Sequence, residues 1–99
     1  MILEKPVRIA ALGAGYFSRF HFDGWSRIEG AKVEAVCVRR PERALKIAQE
    51  FSIPYVFGNA EEMLDAVQPD LLDIITPPDS HLDYVRLGAE RALRRMLEL

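Results

Sequence analysis

The run Val7-Arg8-Ile9-Ala10-Ala11-Leu12-Gly13-Ala14-Gly15-Tyr16-Phe17-Ser18 constrains this chain more than any other segment. A short apolar run leads directly into Gly-x-Gly, and helix-like sequence follows. That order opens a βαβ unit of the dinucleotide-binding type. Gly13 is placed to make the tight turn, and Gly15 to let a pyrophosphate approach the backbone. The third small position falls at Ser18. The N–H groups around Tyr16 and Phe17 open the helix, whose positive end favours phosphate oxygens. The same spacing also suits a tight turn that holds no ligand.

Apolar runs then alternate with helical patterns to the end of the chain, which argues for a parallel sheet covered by helices. The first strand is expected at Val7–Leu12 and the first helix at about Tyr16–Ile28. Phe17, Phe20, Gly24 and Ile28 fall near one face of that helix, and Gly30 is its expected stop. A second strand follows at Lys32–Val38. Pro41 opens a second helix running to about Phe51, with Leu45, Ala48 and Phe51 as its buried stripe. A short third strand is expected at Tyr55–Phe57. Asn59 then caps a third helix, with Glu62 in capping-box position and Met63, Leu64 and Val67 turned inward. Pro69 closes it.

The fourth strand, Leu71–Ile75, is nearly all apolar and reads as buried on both faces, with Asp73 the exception. Pro77-Pro78 break the chain, and Asp79 or Ser80 caps a last helix. Leu82, Val85, Ala89, Ala92, Leu93, Met96 and Leu97 give that helix an apolar stripe. The pattern predicts an α/β fold, a Rossmann-like half. It has a four-stranded parallel sheet in the order 3-2-1-4 and helices on both faces.

Length and charge narrow the function. A chain of 99 residues makes one domain at most. Its net charge of −2 gives no footprint for nucleic acid or an anionic membrane. No apolar run approaches the roughly 20 residues of a membrane span. The lone Cys37 excludes an intrachain disulfide and reads as a small buried apolar residue, which fits a cytoplasmic protein.

Two further segments carry candidate chemistry. NAD sites usually place an acid at the end of the second strand to bond both ribose hydroxyls. Here Val38 is followed by Arg39 and Arg40. Arginine suits a 2′-phosphate, so this turn puts NADP ahead of NAD. The alternative is a solvated basic turn. After the fourth strand, Thr76-Pro77-Pro78-Asp79-Ser80-His81 lies where ligands sit in open α/β sheets. Thr76 and Pro77 would border the nicotinamide half, and His81 would touch substrate or pack its turn. His21 reads as a helix residue packed beneath the glycine turn.

In order and spacing these pieces resemble the N-terminal half-domain of the glucose–fructose oxidoreductase / inositol dehydrogenase / rhizopine catabolism family (Gfo/Idh/MocA). The resemblance runs from about Pro6 to Ala89. It takes in the glycine turn, the helix with His21, Arg39-Arg40-Pro41-Glu42-Arg43-Ala44, Ile53-Pro54, Asn59–Leu64 and Thr76–His81. It implies NAD(P)-dependent oxidation or reduction, mostly of sugars and polyols. It also implies Gly13 and Gly15 for pyrophosphate, Arg39 for the adenosine ribose region, and Thr76, Pro77 and His81 for the nicotinamide side.

Two departures stand out. Val38 replaces the family's frequent aspartate. Ala92 falls near the family's stop glycine, Glu98 near its glutamate, and Leu99 where its catalytic lysine stands; no lysine follows Lys46. These departures predict that residues 1–99 form a truncated dinucleotide-binding domain without a substrate domain and inactive on its own. A rival expectation is a self-assembling structural module without retained chemistry. The fourth strand's open edge and the last helix predict a homodimer; the alternative is that the long helix folds back over that edge and keeps the chain monomeric.

Overall fold

The structure, a computed structural model, describes residues 6–76 and 78–97, with side chains left undescribed for Pro78 and for 93–97. Among the described residues, four strands form one parallel sheet: β1 (Val7–Leu12), β2 (Ala31–Cys37), β3 (Tyr55–Phe57) and β4 (Leu71–Ile74). Their order is β3-β2-β1-β4, as the alternation of patterns predicts. The described helices that connect and follow them are α1 (Ser18–Ser26), α2 (Leu45–Glu50), α3 (Ala60–Val67) and α4 (His81–Leu97). A 3-10 turn at Pro41–Arg43 precedes α2, and another at Pro78–Ser80 precedes α4.

Period-2 alternation gives each face of the sheet its own core. Ala10, Leu12, Ala35 and Cys37 meet Met63, Leu64 and Val67 of α3, with Tyr84 and Leu87 of α4 packed alongside. Ala11 and Val36 meet Phe22 of α1 and Ala44, Ile47 and Ala48 around α2 on the other face. Asn59 caps α3 as its spacing predicts, its Oδ1 accepting the Glu62 N–H at 2.9 Å. Where the register of β1 against β2 shifts between Ile9 and Ala10, Glu34 is the extra residue. Its carboxylate binds the Arg8 guanidinium at 3.0 Å, which also donates to the carbonyls of Val67 and Gln68 at the end of α3. That bond to Glu34 raises the Arg8 pKa further.

Several sequence expectations are corrected. α1 starts two residues later and ends two residues earlier than predicted, and it buries a different face. Ser18 and Phe22 point inward, while Phe17, Phe20 and Ile28 are exposed. The reason is close approach at the glycine turn. The Ser18 hydroxyl bonds the Gly15 carbonyl and is fully enclosed, and this small side chain fixes which face meets the sheet. Gly30 has a positive φ but lies beyond the helix stop, which is Arg27.

The second helix is split by its 3-10 turn, closed by Ala44 N–H to Pro41 O. This rotates the buried face to Ala44, Ile47 and Ala48 and leaves Leu45 exposed. β4 is half-buried along its whole length rather than enclosed, because it pairs β1 on one side and no other described strand.

α4 turns His81, Tyr84, Leu87, Gly88 and Arg91 toward the protein. Leu82, Val85, Ala89 and Ala92 therefore form an exposed stripe. Gly88 allows this packing, since a Cβ there would lie 3.2 Å from Leu72. Arg91 reaches across to Asp65 of α3 at 2.9 Å. The Leu93, Met96 and Leu97 part of the predicted stripe falls outside the described side chains.

Candidate functional site

The C-terminal ends of β1, β2 and β4 open into one cleft of about 570 Å³. Gly13 lines it from the first turn, Val38 and Arg39 from the end of β2, and Thr76 from the end of β4. Gly13 has φ +108°, and a Cβ there would lie 3.1–3.2 Å from the backbone of Ile75 and Thr76. Its N–H donates to the Cys37 carbonyl at 2.9 Å. Glycine at 13 therefore lets three strand ends converge.

Gly15 differs. Its φ is not positive, and a Cβ there would meet nothing within 4 Å. Neither packing nor backbone geometry requires a glycine at this place. Among the described residues, the N–H groups of Ala14, Gly15, Tyr16 and Phe17 donate to no protein acceptor. These four consecutive donors lie in the turn that leads into α1, whose dipole adds positive potential at that end. Tyr16, Phe17 and Phe20 flank them as an exposed aromatic cluster, with Tyr16 5.4 and 5.8 Å from the other two rings.

The remaining predicted residues separate. Arg40 is exposed and does not line the cleft. His81 sits behind it, where its Nε2–H donates to the Thr76 carbonyl. This histidine holds the loop in shape, as does the Ser80 hydroxyl bonded to Thr76 Oγ1 at 2.8 Å. Pro77 lies outside the described residues. Cys37 lines the cleft floor, and burial pushes its thiol pKa up, away from a reactive thiolate.

His21 does not pack beneath the glycine turn. Its Nδ1–H donates to Asp73 of β4 at 2.9 Å, and Trp25 Nε1–H donates to the same carboxylate at 2.9 Å. The aspartate that interrupts the apolar fourth strand is thus the anchor of α1. Sequence reasoning also missed Asp79 and Tyr84 as cleft residues. The signal for Tyr84 was its place one turn after His81, on the inward face.

The model of the oxidoreductase family with an NAD-binding Rossmann fold matches residues 2–98. The chain belongs to this family. D-apiose dehydrogenase of Paraburkholderia graminis is 40% identical over 86 residues, which is 87% of this chain and 23% of that protein. D-glucoside 3-dehydrogenase of Escherichia coli is 27% identical over 96 residues, 96% of this chain and 27% of the relative. An oxidoreductase from Agrobacterium radiobacter, solved with NAD+, L-tartaric acid and magnesium, superposes with a TM-score of 0.83 at 27% identity. That match covers 89% of this chain and 26% of the other. The chain therefore spans about a quarter of the length of these relatives. It shares their Rossmann fold, and among its described residues no helix is long and apolar enough to cross a membrane.

Proposed function

We propose that this chain is the cofactor-binding domain of an NAD(P)-dependent oxidoreductase acting on sugars or polyols. The observation that carries the reading is the group of four unengaged N–H donors beside Gly15, with open space where its Cβ would be. A pyrophosphate supplies the acceptors these donors lack, and it needs the room that a side chain would take. Gly13, Gly15, Tyr16 and Phe17 surround the phosphates in this reading, Arg39 meets the adenosine ribose, and Thr76 and Pro77 border the nicotinamide half. Arg40 and His81 act indirectly, through the turn and through Thr76. When bound, the dinucleotide supplies hydride chemistry; these residues bind and orient it, and we assign none of them a proton-transfer role. The sugar and polyol class is supported by the dehydrogenase names of the relatives. Titration of the purified chain with NADH and NADPH, followed by nicotinamide fluorescence, tests the reading; no saturable binding of either overturns it.

Arg39 decides between the two cofactors. It lines the cleft, and among the described residues its guanidinium has no carboxylate partner. Val38 stands at the end of β2, where an acid would repel a 2′-phosphate. Arg39→Ala is expected to weaken NADPH more than NADH. One charge-assisted bond contributes about 1.5–3 kcal/mol, so the selectivity should change by roughly tenfold or more. Equal losses for both nucleotides would assign Arg39 to solvent.

The exposed stripe on α4 and the edge of β4 that no other described strand pairs support a second element of the proposal, a homodimer. Two copies related by a two-fold axis would pair β4 with β4 and cover Leu82, Val85, Ala89 and Ala92. Sedimentation equilibrium at micromolar concentration is expected to give twice the chain mass, falling to one chain mass for Val85→Glu. A wild-type chain that sediments as a monomer rejects the dimer without touching the cofactor reading. Assembly without dinucleotide binding would favour a purely structural module.

A further inference from the structure

We propose that the Ser18 hydroxyl is a positioning group for dinucleotide binding: it holds the Gly15 carbonyl inward, and so aims the Tyr16 N–H at a phosphate oxygen. The inference rests on the dinucleotide reading above and adds to it a residue that touches no ligand. Within Gly15–Ser18, Gly15, Tyr16 and Phe17 are exposed and Ser18 is fully buried. The Tyr16 and Phe17 rings pack on each other. This stretch is tied to the interior through the Gly15 carbonyl, which accepts two hydrogen bonds from one residue. The Ser18 N–H donates at 3.0 Å, and the Ser18 hydroxyl donates to the same oxygen.

Peptide planarity carries that anchor to the next residue. The Gly15–Tyr16 peptide is trans, so its C=O and N–H point in opposite directions. A carbonyl turned toward the enclosed hydroxyl turns the Tyr16 N–H away from it, to a side where no protein acceptor meets it. Glycine lacks the Cβ that narrows φ and ψ, so sterics restrain the plane after Gly15 less than one after a residue with a side chain. A rotated plane would present the carbonyl oxygen to the ligand, and that partial negative charge repels phosphate. The hydroxyl opposes this rotation. Its bond is made in an enclosed, low-dielectric place, where a hydrogen bond is stronger than in water. Alanine at 18 would occupy nearly the same space but leave the carbonyl with the backbone N–H alone.

The test removes the donor in two steps. Ser18→Cys keeps the size with a weaker donor, and Ser18→Ala has none. Both leave a small side chain in the enclosed position, and circular dichroism should show both folded. The probe is NADH or NADPH, whichever the wild-type chain binds more tightly. Affinity is expected to fall in the order Ser, Cys, Ala, with Ser18→Ala weaker by about two- to tenfold, the worth of one hydrogen bond. The second readout is the Tyr16 amide proton, which a packing role for Ser18 would not move. In the wild-type chain the nucleotide should shift its resonance downfield as the N–H meets a phosphate oxygen. In Ser18→Ala the shift at saturation should be smaller. Undiminished affinity in Ser18→Ala, or a Tyr16 resonance that bound nucleotide leaves in place, overturns the inference while the dinucleotide reading stands. A wild-type chain that binds neither nucleotide overturns both.

Discussion

Gly13→Ala is expected to destabilise the fold itself. The residue has φ +108°, a region that L side chains rarely adopt, and its Cβ would press on the Ile75 and Thr76 backbone at 3.1–3.2 Å. Backbone cannot yield as a flexible side chain does. Unfavourable φ/ψ at one residue costs about 1–3 kcal/mol, and forced overpacking adds about 1–3. A combined loss of roughly 2–6 kcal/mol is a large share of the ~5–15 kcal/mol typical of a domain. Urea denaturation should show the midpoint falling with little change in slope. An unaltered midpoint would mean that the turn relaxes away from β4, and the convergence of strand ends at the cleft would have to be reconsidered.

Most of this architecture could be read from the sequence because it follows from short-range pattern. Four apolar runs separated by helical segments determine a parallel sheet, and right-handed crossovers then leave little choice of strand order. Asn59 and Glu62 announced the cap of α3 because a cap is a local hydrogen bond. The helix faces were less legible. Phe17, Phe20 and Ile28 make an apolar row along the predicted first helix, yet Ser18, a polar residue, is fully enclosed beside Phe22. Closeness to a glycine turn favoured the smallest side chain over the most apolar, and composition does not reveal that. α4 misled similarly: Leu82 and Val85 face solvent because Gly88, not a large residue, lies against Leu72.

The site was legible in part for the same reason. Gly13, Arg39 and Thr76 sit at strand ends, and topology alone brings strand ends together. His81 and His21 needed tertiary partners, the Thr76 carbonyl and the Asp73 carboxylate, that no local pattern specifies. Asp73 in particular looked like an interruption of a buried strand. It is half-buried on the sheet face beneath α1, where two ring N–H groups satisfy it.

Gly15→Val is expected to abolish dinucleotide binding while leaving the fold intact, the reverse of the effect at Gly13. The argument rests on the contrast between two glycines in one turn. Gly15 has a backbone that other residues can adopt, and the space its Cβ would enter is open. Valine there should cost the protein only a few tenths of a kcal/mol, within the usual range for exposed substitutions. The same two methyl groups would stand among the N–H groups of Ala14–Phe17, where phosphate oxygens must come within about 3 Å of nitrogen to be bound. A loss of two or more such charge-assisted bonds, at about 1.5–3 kcal/mol each, would weaken binding by roughly a hundredfold or more. The decisive measurement pairs a thermal melt with an NADH and NADPH titration on the same preparation. An unchanged melt with lost binding supports the phosphate assignment. An unchanged melt with unchanged binding would show that no ligand approaches this backbone, and the glycine turn would then be a connection between β1 and α1 alone.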